Sequence, residues 1–223
     1  VDLEDWARQR DLKKRFPKEI LTSFGLHPWW VAKHSREEFD QSLEKLVVSL
    51  ADADGLGEIG LDYGPKVESE SHVHQLYAFR RQLELLKAQP KPLVLHIVRS
   101  HLDASTLLSE FGPFAREGIV HSFSGTKENA RKYLDLGLSL SISGGITRKG
   151  FESLKKAVTY IPLDRLLVET DSPDQPLEGQ TFNEPTSLIE IARVIAEHRG
   201  KESAENVLLA SATNVARIFR AHL

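Results

Sequence analysis

The sequence predicts an α/β fold of the TIM (β/α)8 barrel type. Short aliphatic runs alternate with stretches of helical period six times over, the pattern of successive βα units on a parallel sheet. The runs lack polar alternation, as strands covered on both faces do. Five of them finish on an ionisable side chain: Leu21 to His27, Ala53 to Glu58, Pro92 to His96, Glu117 to His121 and Leu166 to Asp171. Polar groups drawn from the ends of at least four strands favour a barrel, which collects them at its C-terminal face, over an open sheet with one switch point.

The elements follow in order. Residues 1–16 carry a ragged apolar face (Leu3, Trp6, Ala7, Leu12, Phe16) and predict a polar helix. Strands are expected over 21–26, 55–61, 93–98, 118–123, 138–143 and 166–170. Helices are expected over 37–50, 75–88, 102–111, 127–136 and 151–160, with two more, 185–199 and 201–220, closing the chain. The punctuation agrees: Pro92 and Gly118 precede strands, Pro28, Gly125, Gly145 and Pro173 follow them, and Gly200 parts the last two helices. Six strands are two short of a barrel, whose typical length is about 250 residues. The expectation is one domain, 1–223, incomplete at its N-terminal side. The absence of Met and the start at Val1, inside a helical pattern, argue the same way.

Composition narrows the function. The 223 residues, 40% hydrophobic and 27% charged, have the balance of a globular domain with a substantial core. The formal net charge of -3 provides no global basic field, so a polyanion must be held by local cations or bound metal. Without Cys there are no disulfides, thiolate metal sites or cysteine nucleophiles. No apolar stretch approaches the roughly 18 to 20 residues that span a bilayer, and no signal peptide is visible, so a cytoplasmic location is expected.

Several patterns have ordinary explanations. Gly55-Leu56-Gly57-Glu58-Ile59-Gly60 spells GxGxxG, but the residues after it open no helix, and Glu58 would face a pyrophosphate with like charge. His72 and His74 lie two apart at a helix start and point to nearly opposite sides, so they converge on nothing and are expected in solvent. His34, His101, His198 and His222 fall in polar surroundings and are also expected outside. Basic pairs on predicted helices are charged outer faces; only Arg148-Lys149, in a loop after a strand, lies on the rim where phosphate would bind.

The strand-end residues carry the opposite weight. Two carboxylates and imidazoles on one rim are the composition of a metal-assisted hydrolytic centre, and Glu58, His96, His121 and Asp171 are its expected ligands. His27, followed by Pro28, is expected to contact substrate.

Gly25-Leu26-His27-Pro28, Gly57 to Tyr63, Pro92 to His96, His121 to Gly125 and Glu169 to Pro173 together resemble the TatD family of metal-dependent deoxyribonucleases. Asn183-Glu184-Pro185 and Thr213 to Phe219 are similar to its C-terminal signatures. The resemblance implies an amidohydrolase-type barrel with two divalent ions, Mg, Mn or Zn, and DNA as substrate. It places Glu58 as the bridging ligand, His96 and His121 as ligands of one ion, and Asp171 as ligand and proton acceptor on the other, with a metal-held hydroxide cleaving the phosphodiester. Arg99 and Arg148 are then candidates for phosphate contacts, and Trp29, Trp30 or Phe123 for stacking an unpaired base. Family members open with a strand ending in His-x-His, which nothing before His27 supplies, so that strand is expected upstream. An amide, ester or other phosphoester substrate, or a non-catalytic scaffold, are the competing readings.

Overall fold

The computed structural model describes residues 3–221. Two compact units divide the chain, Val1–Gly118 and Ile119–Leu223, each with helices on parallel strands.

The first unit begins with α1 (Leu3–Arg15), whose one buried residue, Trp6, donates its indole N–H to the Gly25 carbonyl at 3.1 Å. There follow β1 (Ser23–Phe24), α2 (Pro28–Val31), α3 (Arg36–Ser49), β2 (Gly55–Asp62), α4 (His72–Glu84), β3 (Leu93–Val98) and α5 (His101–Phe111). The strands pair in parallel, β1 with β2 and β2 with β3. Ser35 caps α3 in a full capping box with Glu38, each satisfying the other's backbone N–H. Phe24, Leu56, Ile59, Leu61, Leu93 and Leu95 bury completely and form the core under Phe39, Phe79 and Leu83. Along β3 burial alternates, so that Leu93, Leu95 and Ile97 enter the core while Val94, His96 and Val98 line the other face.

Buried glutamines on α4 hold the strand ends. Gln82 accepts the Leu26 N–H at 2.7 Å and donates to the Leu26 carbonyl at 3.1 Å; Gln75, two turns away on the same face, does the same for Asp62 at 2.7 and 3.0 Å. Each amide substitutes for a strand neighbour, satisfying backbone groups that the ladder does not reach.

The second unit holds β4 (Ile119–His121), α6 (Lys127–Asp135), β5 (Ser139–Ile142), α7 (Glu152–Tyr160), β6 (Leu166–Val168), α8 (Leu188–Arg199) and α9 (Ala204–Phe219). Its strands pair in parallel in chain order. β5 is buried along its whole length, as a strand covered on both faces must be. From α9, Asn214 donates to the Leu163 and Leu166 carbonyls at 2.9 Å each, and the Ser211 hydroxyl accepts the Val168 N–H at 2.9 Å, fixing β6 at both ends.

The parallel α/β fold expected from the sequence is therefore present, with shifts at the strand ends. β1, β4 and β6 are shorter than expected, and α2 was not foreseen. No helix among the described residues is long and apolar enough to cross a membrane.

Candidate metal centre

In the first unit Glu58 does not end its strand. β2 continues to Asp62, and the register with β3 slips between Gly57 and Ile59, so Glu58 sits on the irregularity itself. Bulges of this kind re-aim a side chain. Two residues on, Gly60 has φ 144° and faces His96, whose carbonyl a Cβ would strike, so only glycine lets the strands close here.

Glu58, His96 and His27 converge. His27 Nε2 lies 3.1 Å from His96 Nδ1 and 3.5 Å from Glu58 Oε2, and His96 Nδ1 lies 3.8 Å from Glu58 Oε2. The hydrogen bonds decide the tautomers. His96 Nε2–H donates to the Asp62 carboxylate at 3.0 Å, which leaves the Nδ1 lone pair facing Glu58. His27, buried, spends its Nδ1 lone pair as the cap of α2, accepting the Trp29 backbone N–H at 3.0 Å. Its Nε2 therefore carries the proton and donates to His96 Nδ1 at 3.1 Å, and the ligand atoms of His27, Glu58 and His96 lie close enough together to hold one cation.

Asp62 is the residue that orients His96, and sequence reasoning missed it. It is buried and also accepts the Trp29 indole N–H at 2.6 Å and the Gly64 N–H at 2.7 Å. Burial alone would raise its pKa; the hydrogen bonds from His96, Gly64 and Trp29 outweigh that and hold the carboxyl below its usual range. A carboxylate behind a metal-facing imidazole fixes ring and tautomer and raises ligand basicity. Its sequence signal was an acidic residue directly after the apolar run expected over 55–61.

Burial and the neighbouring His96, only partly offset by Glu58 and Asp62, push the His27 pKa down to about 3. Unfolded, the same imidazole titrates near 6.5. Between these values the unfolded chain binds the extra proton, so His27 contributes its full stability above pH 6.5 and loses it as the pH falls towards 3. We expect wild type to lose about 2 kcal/mol more than His27→Asn between pH 7 and pH 5. Urea unfolding midpoints check this; parallel curves for the two proteins would contradict it.

The second unit repeats the arrangement. His121 Nδ1–H donates to Glu169 Oε1 at 2.9 Å, leaving Nε2 facing Asp171 Oδ1 at 3.9 Å. Glu169 also accepts the Ser122 N–H at 2.7 Å and the Ser141 hydroxyl at 2.6 Å. Glu169 too was missed, although it lies in the Leu166–Asp171 run. Asp171 Oδ2 accepts from the Gln175 amide at 2.6 Å, and Gln175 in turn bonds Ser122 and Ser143. Asn183, buried in the loop beyond, donates to the carbonyls of Thr170, Asp174 and Gln175 and so holds this segment in place. Ser122 and Asp171 have left-handed φ of 44° and 62°, and Arg99 in the first unit has 53°. Each follows a strand, where backbone strain of this kind collects at functional sites.

The donor chemistry fits divalent cations. Metal–ligand bonds of about 2.0–2.2 Å put tetrahedral ligand atoms roughly 3.3 Å apart, close to the 3.8 Å between Glu58 and His96 and the 3.9 Å between His121 and Asp171. All these ligand atoms are nitrogen or oxygen, which suit magnesium, manganese or zinc.

The other residues singled out from the sequence occupy more varied places. Arg99 is exposed beyond β3. Arg148 spends two guanidinium N–H groups on the Pro176 carbonyl, at 2.6 and 3.2 Å, tying two loops of the second unit. Phe123 is buried against Tyr133 and offers no stacking face, a correction to the expectation. Trp30 stacks on His34 at 3.8 Å, and Trp29 is 41% exposed. His72 stacks on Tyr63 and His74 meets Phe39 edge-on, so the pair does diverge, but both rings are half-buried rather than solvated. His34 and His101 are half-buried too, His198 is exposed, and His222 lies outside the described residues.

Parallel strands whose imidazoles are set by carboxylates, with further carboxylates facing the other ring nitrogens, define a metal-dependent hydrolase of the α/β class. The chain belongs to the family described as TatD related DNase, whose model matches residues 1–220. It is 31% identical over 222 residues to YjjV of Escherichia coli K12, named an uncharacterized metal-dependent hydrolase, covering 98% of this chain and 83% of that protein. It is 33% identical over 201 residues to the 3'-5' ssDNA/RNA exonuclease TatD of Erwinia billingiae, covering 86% of this chain and 75% of that one. The crystal structure of YjjV matches with a TM-score of 0.89 at 30% identity, over 100% of this chain and 85% of that one.

Proposed function

We propose that this metal-dependent hydrolase cleaves phosphodiester bonds of DNA, with Glu58, His96, His121 and Asp171 as metal ligands and Asp171 as the proton acceptor. The observation that carries the reading is the repeated carboxylate–imidazole pair, Asp62 with His96 and Glu169 with His121, each with its other ring nitrogen towards a second carboxylate. The group of His27, Glu58 and His96 in the first unit supports a bound divalent cation. A relative named as an exonuclease supports the choice of substrate.

Bound divalent cations supply positive charge that polarises a phosphodiester and draws the pKa of water towards neutrality. The chain supplies the rest. Gln175 donates to Asp171 Oδ2 and so orients the carboxylate that would take the proton of the attacking water. Glu58 holds metal from the strand irregularity that aims it. His27, kept neutral by burial, sets its Nε2 beside His96 Nδ1 and Glu58, the position from which it would contact substrate at the centre. Asp62 and Glu169 keep the two ligand imidazoles in the required tautomer.

The test supplies magnesium, manganese or zinc and compares mononucleotide release from single-stranded DNA with turnover of simple carboxylic esters and amides. Metal-stimulated release of mononucleotides is expected. Turnover of the esters or amides with DNA left intact would overturn the assignment.

A further inference from the structure

Beside the candidate metal centre of the first unit lies a cavity of about 410 Å³ that none of the proposed metal ligands lines. Its lining is Trp29, Ala32, Lys33, Lys66, Val67 and Glu68, contributed by α2 and by the loop after β2. The volume falls within the range of small-molecule sites. Trp29 joins the cavity to the centre. Its indole N–H is tied at 2.6 Å to Asp62, and its ring lies 5.2 Å from His27 and 6.1 Å from His96, edge-on to both. The large ring is thus pinned by a buried carboxylate yet left 41% exposed, which is the condition of a preorganised stacking platform rather than of a core residue. Lys66 Nζ stands over the same ring at 5.7 Å, and Lys33 joins it in the lining. Two ammonium groups against the Glu68 carboxylate leave the cavity with a single net positive charge, suited to one phosphodiester rather than a polyphosphate. A chain of net charge -3 has to hold a polyanion with local cations of this kind.

We infer that this cavity is a subsite for one unpaired nucleotide of a single-stranded nucleic acid, with its base on Trp29 and its phosphate on Lys33 and Lys66. The inference rests on the nuclease reading and adds to it the place that holds one nucleotide: a base buried in a duplex has no face to offer the indole, so Trp29 selects an unpaired one.

The experiment measures binding rather than turnover. A short, labelled oligothymidylate with phosphorothioate linkages, which resist hydrolysis, is titrated with the metal-loaded protein and followed by fluorescence anisotropy. Trp29→Ala is expected to weaken binding about 10-fold or more, and Trp29→Phe to restore most of it, because phenylalanine keeps a stacking face and loses only the N–H. Lys33→Gln with Lys66→Gln is expected to flatten the slope of log Kd against log salt by about 0.7, the value for one phosphate of a single strand no longer neutralised. Equal weakening by Trp29→Phe and Trp29→Ala would assign the effect to the bond with Asp62 and overturn the subsite. An unchanged salt slope in the double lysine variant would overturn it as well, and in either case a protein that still releases mononucleotides keeps the nuclease reading. A wild-type protein that binds neither single strands nor duplexes, and turns over only other esters or amides, would overturn both.

Discussion

Asp171→Asn is expected to lower kcat on single-stranded DNA by about 10²- to 10⁴-fold at saturating metal, the range attributable to one positioned acid–base group. The fold should survive the change. Asp171 occupies a left-handed backbone conformation, φ 62°, which asparagine tolerates better than other non-glycine residues. Asn183 holds the surrounding carbonyls through its own amide, independently of the Asp171 side chain. The new amide can keep its oxygen towards the Gln175 N–H, so no buried donor is orphaned. What disappears is the negative charge facing His121 and an oxygen basic enough to take a proton near neutral pH. Rates measured across a metal titration, beside a thermal melt, separate a chemical defect from a folding one. A variant with wild-type melting and more than a tenth of wild-type kcat would remove Asp171 from the mechanism.

The sequence made the elements legible where periodicity was unopposed. The strand expected over 93–98 is β3 residue for residue, because Leu93 to Val98 is a run without breakers whose end is set by the following turn. Strand ends were misplaced where side chains and backbone strain take over. The strand expected to close at Phe123 stops at His121 because Ser122 turns left-handed, and β1 shrinks to Ser23–Phe24 because Thr22 is drawn to Asp54. In the candidate site, the ionisable residues at the ends of apolar runs were readable, since a charge closing a buried strand demands a reason. Their partners were not. Asp62 and Glu169 act through imidazoles distant in the chain, and Gln75 and Gln82 occupy an apolar helix face where nothing local distinguishes a backbone clamp from an ordinary polar residue. Glu58 was placed at a strand end because its charge interrupts the aliphatic run, whereas β2 passes through it by way of the irregularity at Gly57.

The two carboxylates behind the imidazoles yield the second large effect, and they should not be equal. Removing such a partner typically costs 10- to 100-fold in metal affinity. Asp62 faces only donors: Oδ2 takes the Trp29 and His96 N–H groups, and Oδ1 takes the Gly64 N–H. In Asp62→Asn the amide NH₂ must oppose at least one of them in either orientation. The less costly orientation keeps the oxygen on Trp29 and His96 and sets the NH₂ against the buried Gly64 N–H, so a buried donor is opposed in addition to the charge lost behind His96, and the loss should lie near 100-fold. Glu169 has a more forgiving neighbour. Its Oε2 accepts from the Ser141 hydroxyl, which can turn and accept instead, so Glu169→Gln can keep its oxygen on His121 and Ser122 and place NH₂ towards Ser141. Its loss should lie near 10-fold, through charge alone. Calorimetric metal titrations of the two variants against wild type give the comparison directly. Equal losses, or a larger one for Glu169→Gln, would mean that the donors facing each carboxylate do not set its contribution to metal affinity.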